Sequence, residues 1–225
     1  MSAGTAPRTG TGAYRSLLGR LDHWFEEARD RTGVIPCHSG CSACCHGPFD
    51  ITVADAELLQ EGVAALAPAD RAAVIAQADA LLTAMTMTEP GWAPPYAVAD
   101  LGEERFDVMI ERFADQPCPL LDEAGRCRIY QHRPLVCRLI GLGMITPTDR
   151  LIENACPIQE QFPAYAALAP QPFDLEALEL EEIECQRAAA RRLFGDAGWE
   201  GYETTIAGAI VVGEGRKGEG EGGME

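Results

Sequence analysis

The sequence predicts a mainly α-helical protein with small antiparallel β-hairpins, an α+β chain stapled by a metal-ligating cysteine cluster between helices. Three observations carry this expectation. Apolar residues recur at helical spacing over long stretches at both ends and in the middle. Two short turn-rich stretches have the pattern of hairpins. Eight of the nine cysteines fall into two groups, Cys37, Cys41, Cys44 and Cys45, and Cys118, Cys127, Cys137 and Cys156.

The elements follow in order. Residues 1–13 are small and polar and read as a flexible N-terminus. From Tyr14 to Asp30, Leu17, Leu18, Leu21, Trp24, Phe25 and Ala28 line one face of a helix that Gly33 stops. Thr52 opens a second helix, with Asp55 three residues on as a shortened capping box. Pro68 sits at the start of a third, with Val74, Ile75, Ala78, Leu81 and Leu82 on its apolar side. The run from Pro90 to Pro95 is a loop, and Glu103 to Ala114 resumes a weaker helix. Residues 50–115 thus form a helical insert within one cysteine-cluster domain, 14–212, packed on the N- and C-terminal helices. Asp122 to Gly125 and Thr146 to Asp149 are the turns of the two hairpins, the second with proline at its second position. Between them, Leu135 to Leu142 has room for one or two helical turns. Asp174 to Phe194 is expected to be the longest helix, closed by Gly195. Residues 213–225 are almost all glycine and charge, and their composition predicts disorder.

Composition narrows the function. The net charge is −17, and a chain so acidic lacks the basic face that a nucleic-acid partner requires. The acids concentrate away from the cysteines: thirteen against three arginines lie between Asp50 and Asp115. No apolar run approaches the roughly 18 residues of a membrane span, and no secretory leader is visible at the start. The expectation is a cytoplasmic protein with no membrane and no nucleic-acid partner. In that compartment thiols stay reduced, so clustered cysteines point to metal rather than to disulfides.

Thiolates are soft ligands for zinc or for iron–sulfur clusters. The first group lies in Pro36-Cys37-His38-Ser39-Gly40-Cys41-Ser42-Ala43-Cys44-Cys45-His46-Gly47-Pro48. A short helix begun by Pro36 would put its four sulfurs on one side. Eight helical residues span about 12 Å, whereas sulfurs on one zinc are about 4 Å apart. A helical segment would therefore divide its thiols between sites, each completed from the second group. A loop through Gly40 would relax that limit. In the second group, Cys118 and Cys156 each precede a proline, and Arg128, Arg133 and Arg138 lie close to Cys127 and Cys137. Guanidinium groups there would offset the negative charge of a four-thiolate site.

Taken together, Cys37-x3-Cys41-x2-Cys44-Cys45, Cys118-Pro119-Leu120-Leu121-Asp122 and Cys127-Arg-Ile-Tyr130-Gln-His-Arg133-Pro134-Leu-Val-Cys137-Arg138 resemble the YkgJ-type cysteine-cluster family, a zinc- or iron-chelating domain with a CxxxCxxCC signature. The resemblance runs from about Cys37 to Cys156 and implies that all eight cysteines are ligands. The same domain type occurs in flagellin lysine methylases, where an iron–sulfur cluster is implied.

The leading expectation is a metal-binding cysteine-cluster protein, zinc or iron–sulfur, whose metal is at least structural, with a role in metal handling or as an accessory to a partner. An iron–sulfur enzyme modifying a protein side chain, such as a methyltransferase, is the alternative, and a thiol–disulfide redox protein the second. No catalytic residue is assigned, because no Gly-x-Ser-x-Gly or phosphate loop occurs. Cys185 reads as core, on a stripe with Leu178, Ile183 and Ala189. His132 reads as exposed.

Overall fold

The computed structural model describes residues 10–38 and 40–220, with side chains up to residue 214. The expected N-terminal tail falls largely, and the end of the expected C-terminal tail wholly, outside the described residues. In chain order the elements are α1 (Gly12–Thr32), β1 (Asp50–Thr52), α2 (Val53–Ala64), α3 (Pro68–Thr88), α4 (Val98–Leu101), α5 (Glu103–Arg112), α6 (Val136–Leu139), β2 (Met144–Ile145), β3 (Leu151–Ile152), α7 (Pro163–Ala166), β4 (Gln171–Pro172), α8 (Leu175–Phe194), β5 (Glu203–Thr205) and α9 (Ile206–Gly220). The protein is mainly helical with small sheets. The described chain divides into two compact units, one of Met1–Cys37 with Arg138–Glu200, the other of His38–Cys137 with Gly201–Glu225. Both changes of unit in the middle of the chain fall next to a cysteine.

In the first unit α1 packs on α8. The periodic face of α1 is buried through Tyr14, Leu17, Leu18, Leu21 and Ala28, and that of α8 through Leu175, Leu178, Ala189 and Ala190. Both helices end on a left-handed glycine as expected: Gly33 at φ 64° and Gly195 at φ 74°. Asp174 caps α8 by accepting the N–H of Ala177 at 3.0 Å. At 20 residues α8 is marginally shorter than α1 and α3, which have 21 each. The expected second hairpin is present, β2 pairing antiparallel with β3 (Met144 opposite Ile152, Ile145 opposite Leu151). A parallel strand, β4, joins its other edge. The sequence hides β4 because two residues have no period. It is held in place by Trp24, which donates from Nε1 to the Pro172 carbonyl at 2.8 Å.

In the second unit β1 and β5 pair antiparallel, and each runs straight into a helix, α2 and α9. Thr52 caps α2 as its sequence suggests, its Oγ1 accepting the N–H of Asp55 at 3.3 Å, and Pro68 occupies the first turn of α3. Helices α2, α3 and α9 bury Leu59, Val63, Val74, Ala78, Leu82, Met85, Ala209 and Ile210 in one core. Helix α9 continues to Gly220, through part of the stretch whose composition predicts disorder. Its link to the rest is local: Gln60 donates to the Ala209 carbonyl at 2.9 Å and Arg71 pairs with Glu214.

Candidate metal centre

The first cysteine stretch is not a helix. Gly40 and Gly47 have φ of 92° and 90°, values open to glycine and costly for other residues. The chain instead makes tight turns, with Cys41 N–H donating to the His38 carbonyl and Cys45 N–H to the Ser42 carbonyl. It then pairs sideways with the second stretch: Cys118 N–H donates to the Cys45 carbonyl and Gly47 N–H to the Gln116 carbonyl, at 2.9 and 2.8 Å. Those bonds replace the ones a helix would make, and they carry Cys44 and Cys45 to Cys118.

The Cys118–Cys127 hairpin closes on a single bridge, Leu121 opposite Cys127. Asp122 fastens its turn. The carboxylate Oδ1 accepts the N–H of Ala124 at 2.9 Å and of Arg126 at 2.8 Å, and Gly125 takes φ 73°. Each flanking sulfur accepts the backbone N–H two residues further on, Cys118 from Leu120 and Cys127 from Ile129. Such bonds favour a thiolate.

Cys44, Cys118, Cys127 and Cys137 are close enough to act on one another electrostatically. Cys118 feels Cys127 and Cys44, and Cys137 feels Cys118 and Cys127. Arg133 is the cation that faces Cys44, Cys127 and Cys137. All four thiols are held in the protonated direction. For Cys44 the main cause is its hydrogen bond with Cys45, followed by burial. Burial pushes the Cys118 thiol up to about 12 and raises Cys127. Cys137, partly accessible as a residue but densely enclosed, is raised well above the ordinary thiol range by burial, then by Cys118 and Asp55. Arg133 opposes these shifts at three of the four, which identifies it as the charge that would balance thiolates here.

The remaining expected ligands divide. Cys37 and Cys156 belong to the first unit, in an apolar cluster with Ala28, Ile35, Leu142 and Tyr165. The Tyr165 hydroxyl donates to the Gly141 carbonyl at 2.5 Å and bonds Cys156. Burial chiefly, with Cys37 and Cys156 adding to it, raises the Tyr165 phenol. Cys41 sits in the turn after His38, half-buried. All nine thiols are free, and among the described residues no three cysteine, histidine or carboxylate side chains are grouped tightly enough to hold an ion as they stand.

Of the three arginines that the sequence places near the cysteines, Arg133 is the one whose charge acts on them. Arg128 pairs with Asp70 on α3, and Arg138 is buried in the first unit against Asp22 of α1. Tyr130 lies over Arg133, 4.2 Å from ring centroid to guanidinium carbon. His132 is half-buried rather than exposed, because Gly62 of α2 leaves room for it. Cys185 is half-buried and Ile183 beside it is 37% exposed, so that stripe is not core along its whole length. Two participants had no usable signal in the sequence. Asp55 looked like a helix cap only, and Tyr165 lies nine residues beyond Cys156.

A helical fold with a hairpin and a turn that bring partly buried thiols within the field of one arginine defines a cysteine-cluster protein. The chain belongs to the CxxCxxCC family, described as a "Putative zinc- or iron-chelating domain", whose model matches residues 36–157, more than half of its length. No curated protein and no solved structure matches it. The donor set fits such a metal: soft sulfur ligands, N–H groups already directed at two of them, and a compensating cation. Among the described residues no helix is long and apolar enough to cross a membrane.

Proposed function

We propose that this protein is a metal-binding cysteine-cluster protein, loaded with zinc or an iron–sulfur cluster, in which Cys44, Cys118, Cys127 and Cys137 supply one four-thiolate site. The observation that carries the reading is that these four thiols lie within one unit and act on one another electrostatically, with Arg133 acting on three of them. Cys37, Cys41, Cys45 and Cys156 complete the ligand set that the family signature implies.

The metal is at least structural on this reading. The Cys118–Cys127 hairpin has one bridge and a polar turn, while ordering each residue costs about 1–2 kcal/mol. A four-thiolate ion returns about 10–16 kcal/mol, enough to fix such a segment. Loading has to turn the sulfurs inward and displace their protons, so it releases acid as it proceeds. When bound, the ion or cluster supplies a strong local positive charge that holds the thiols as thiolates.

The test is a titration of fully reduced protein with zinc against a chromophoric chelator, read together with proton release. The reading expects tight uptake with proton release, both weakened in Cys127→Ser and unchanged in Cys185→Ser. Uptake that is equally tight in Cys127→Ser would overturn it.

A further inference from the structure

Among the described residues of the second unit, the segment from Arg133 to Cys137 has little regular structure of its own. It leaves a short 3-10 turn at Tyr130–His132, passes Pro134, which has no N–H to give, and reaches Cys137 inside the four-residue α6. Its position is set instead by α2. Asp55 stands in the first turn of α2, 2% exposed, and its Oδ1 accepts the N–H of Leu135 at 2.8 Å. A buried carboxylate is costly unless it is bonded, and the start of a helix is where its charge is best tolerated. The side chain is firmly placed, since the Asp55 backbone N–H is bonded to Thr52 in the same turn. Leu135 lies midway between Arg133 and Cys137, so the bond fixes the backbone from which both side chains reach the thiols. Two turns further along α2, Gly62 abuts His132 and Ile129. The same helix therefore supports the segment at its midpoint and just before its start.

We infer that Asp55 is a positioning residue of the thiol centre: its carboxylate, anchored at the start of α2, clamps the Leu135 backbone and so presents Cys137 and Arg133 to Cys44, Cys118 and Cys127. This rests on reading those four cysteines as a metal site. A cap residue alone would serve α2 and nothing else, whereas this side chain reaches 80 residues along the chain.

Cobalt(II) titration of the reduced full-length protein tests it, because the thiolate-to-cobalt charge-transfer absorption scales with the number of bound thiolates. Asp55→Asn keeps an acceptor oxygen at the same reach and removes a negative charge that disfavours the Cys137 thiolate, so it should match wild type in intensity and bind at least as tightly. Asp55→Ala should lose about a quarter of the intensity, one thiolate of four, and bind about 10–100-fold more weakly. Asp55→Ala titrating like wild type, or Asp55→Asn as poor as Asp55→Ala, would overturn the inference while leaving the metal site standing. Absence of cobalt thiolate absorption in wild type would overturn both. A second measurement needs no variant: the Leu135 amide should be protected from hydrogen exchange in the metal-free protein, and its exchange at the rate of an open loop would refute the clamp.

Discussion

Replacing Gly62 by alanine tests whether close contact with α2 shapes the thiol centre. Gly62 lies in the interior of α2, where alanine is normally preferred by about 1 kcal/mol. Here an added Cβ would lie 2.7 Å from His132 Cβ, 2.8 Å from its Cγ and 3.2 Å from Ile129 Cβ. Carbon atoms pack best at about 3.5–4.0 Å, so the 129–132 segment must retreat by roughly 1 Å. Overpacking of that kind costs about 1–3 kcal/mol, and the sum is a net loss of about 0–2 kcal/mol in the metal-free protein. The effect on the centre should be larger. Retreat draws the Ile129 N–H away from the Cys127 sulfur and shifts Arg133, and loss of such supporting contacts typically weakens metal binding about 10–100-fold. Gly19 in α1 is the control, since nothing lies within 4 Å of its Cβ position; Gly19→Ala should stabilise by about 1 kcal/mol. Urea unfolding and zinc competition read both quantities. A Gly62→Ala protein as stabilised as Gly19→Ala, with wild-type affinity, would refute the reasoning.

Further expectations follow from the same contacts. Thr52→Ala removes the cap of α2 and should cost about 1 kcal/mol in urea unfolding, whereas Thr52→Ser should cost little. In metal-free, reduced protein, stability should be full below pH 9 and fall as the pH rises from 9 toward 12. The folded protein retains protons on Cys118 and Cys137 that the unfolded chain gives up, so the slope is about 1.4 kcal/mol per pH unit for each such thiol. Metal-loaded protein, its thiols already deprotonated, should show no such decline. Arg133→Gln should weaken metal binding because it removes the cation facing three thiols. Arg138→Gln should instead lower stability, about 1–3 kcal/mol for the lost ion pair with Asp22, and leave zinc affinity unchanged in the same competition assay.

Local chemistry was the part of the fold most legible in the sequence. Thr52, Pro68, Asp174, Gly33 and Gly195 mark helix ends because capping and left-handed closure depend on the residue itself and its near neighbours. The hairpin at Pro147 was legible for the same reason. What depended on distant pairing was not. The first cysteine stretch has helical spacing, but its backbone groups are taken by Gln116 and Cys118, far along the chain, and that contact decides its shape. Strands β4 and β5 are too short to show alternation, and each exists through a partner strand. For the centre, the thiols themselves could be named from residue type and spacing. Which arginine faces them could not, because Arg128, Arg133 and Arg138 are equivalent in sequence and differ only in where Asp70 and Asp22 lie. Asp55 was hidden behind its more familiar role beside the Thr52 cap.

The most direct measurement is the metal content of protein purified without oxygen, from wild type, Cys118→Ser and Cys185→Ser side by side. Zinc in stoichiometric amount and no colour, or iron and sulfide with absorption near 400 nm, is expected in wild type and Cys185→Ser, with marked loss in Cys118→Ser. Wild-type protein that carries neither metal, and takes up none when reduced and exposed to both, would contradict the account at its centre.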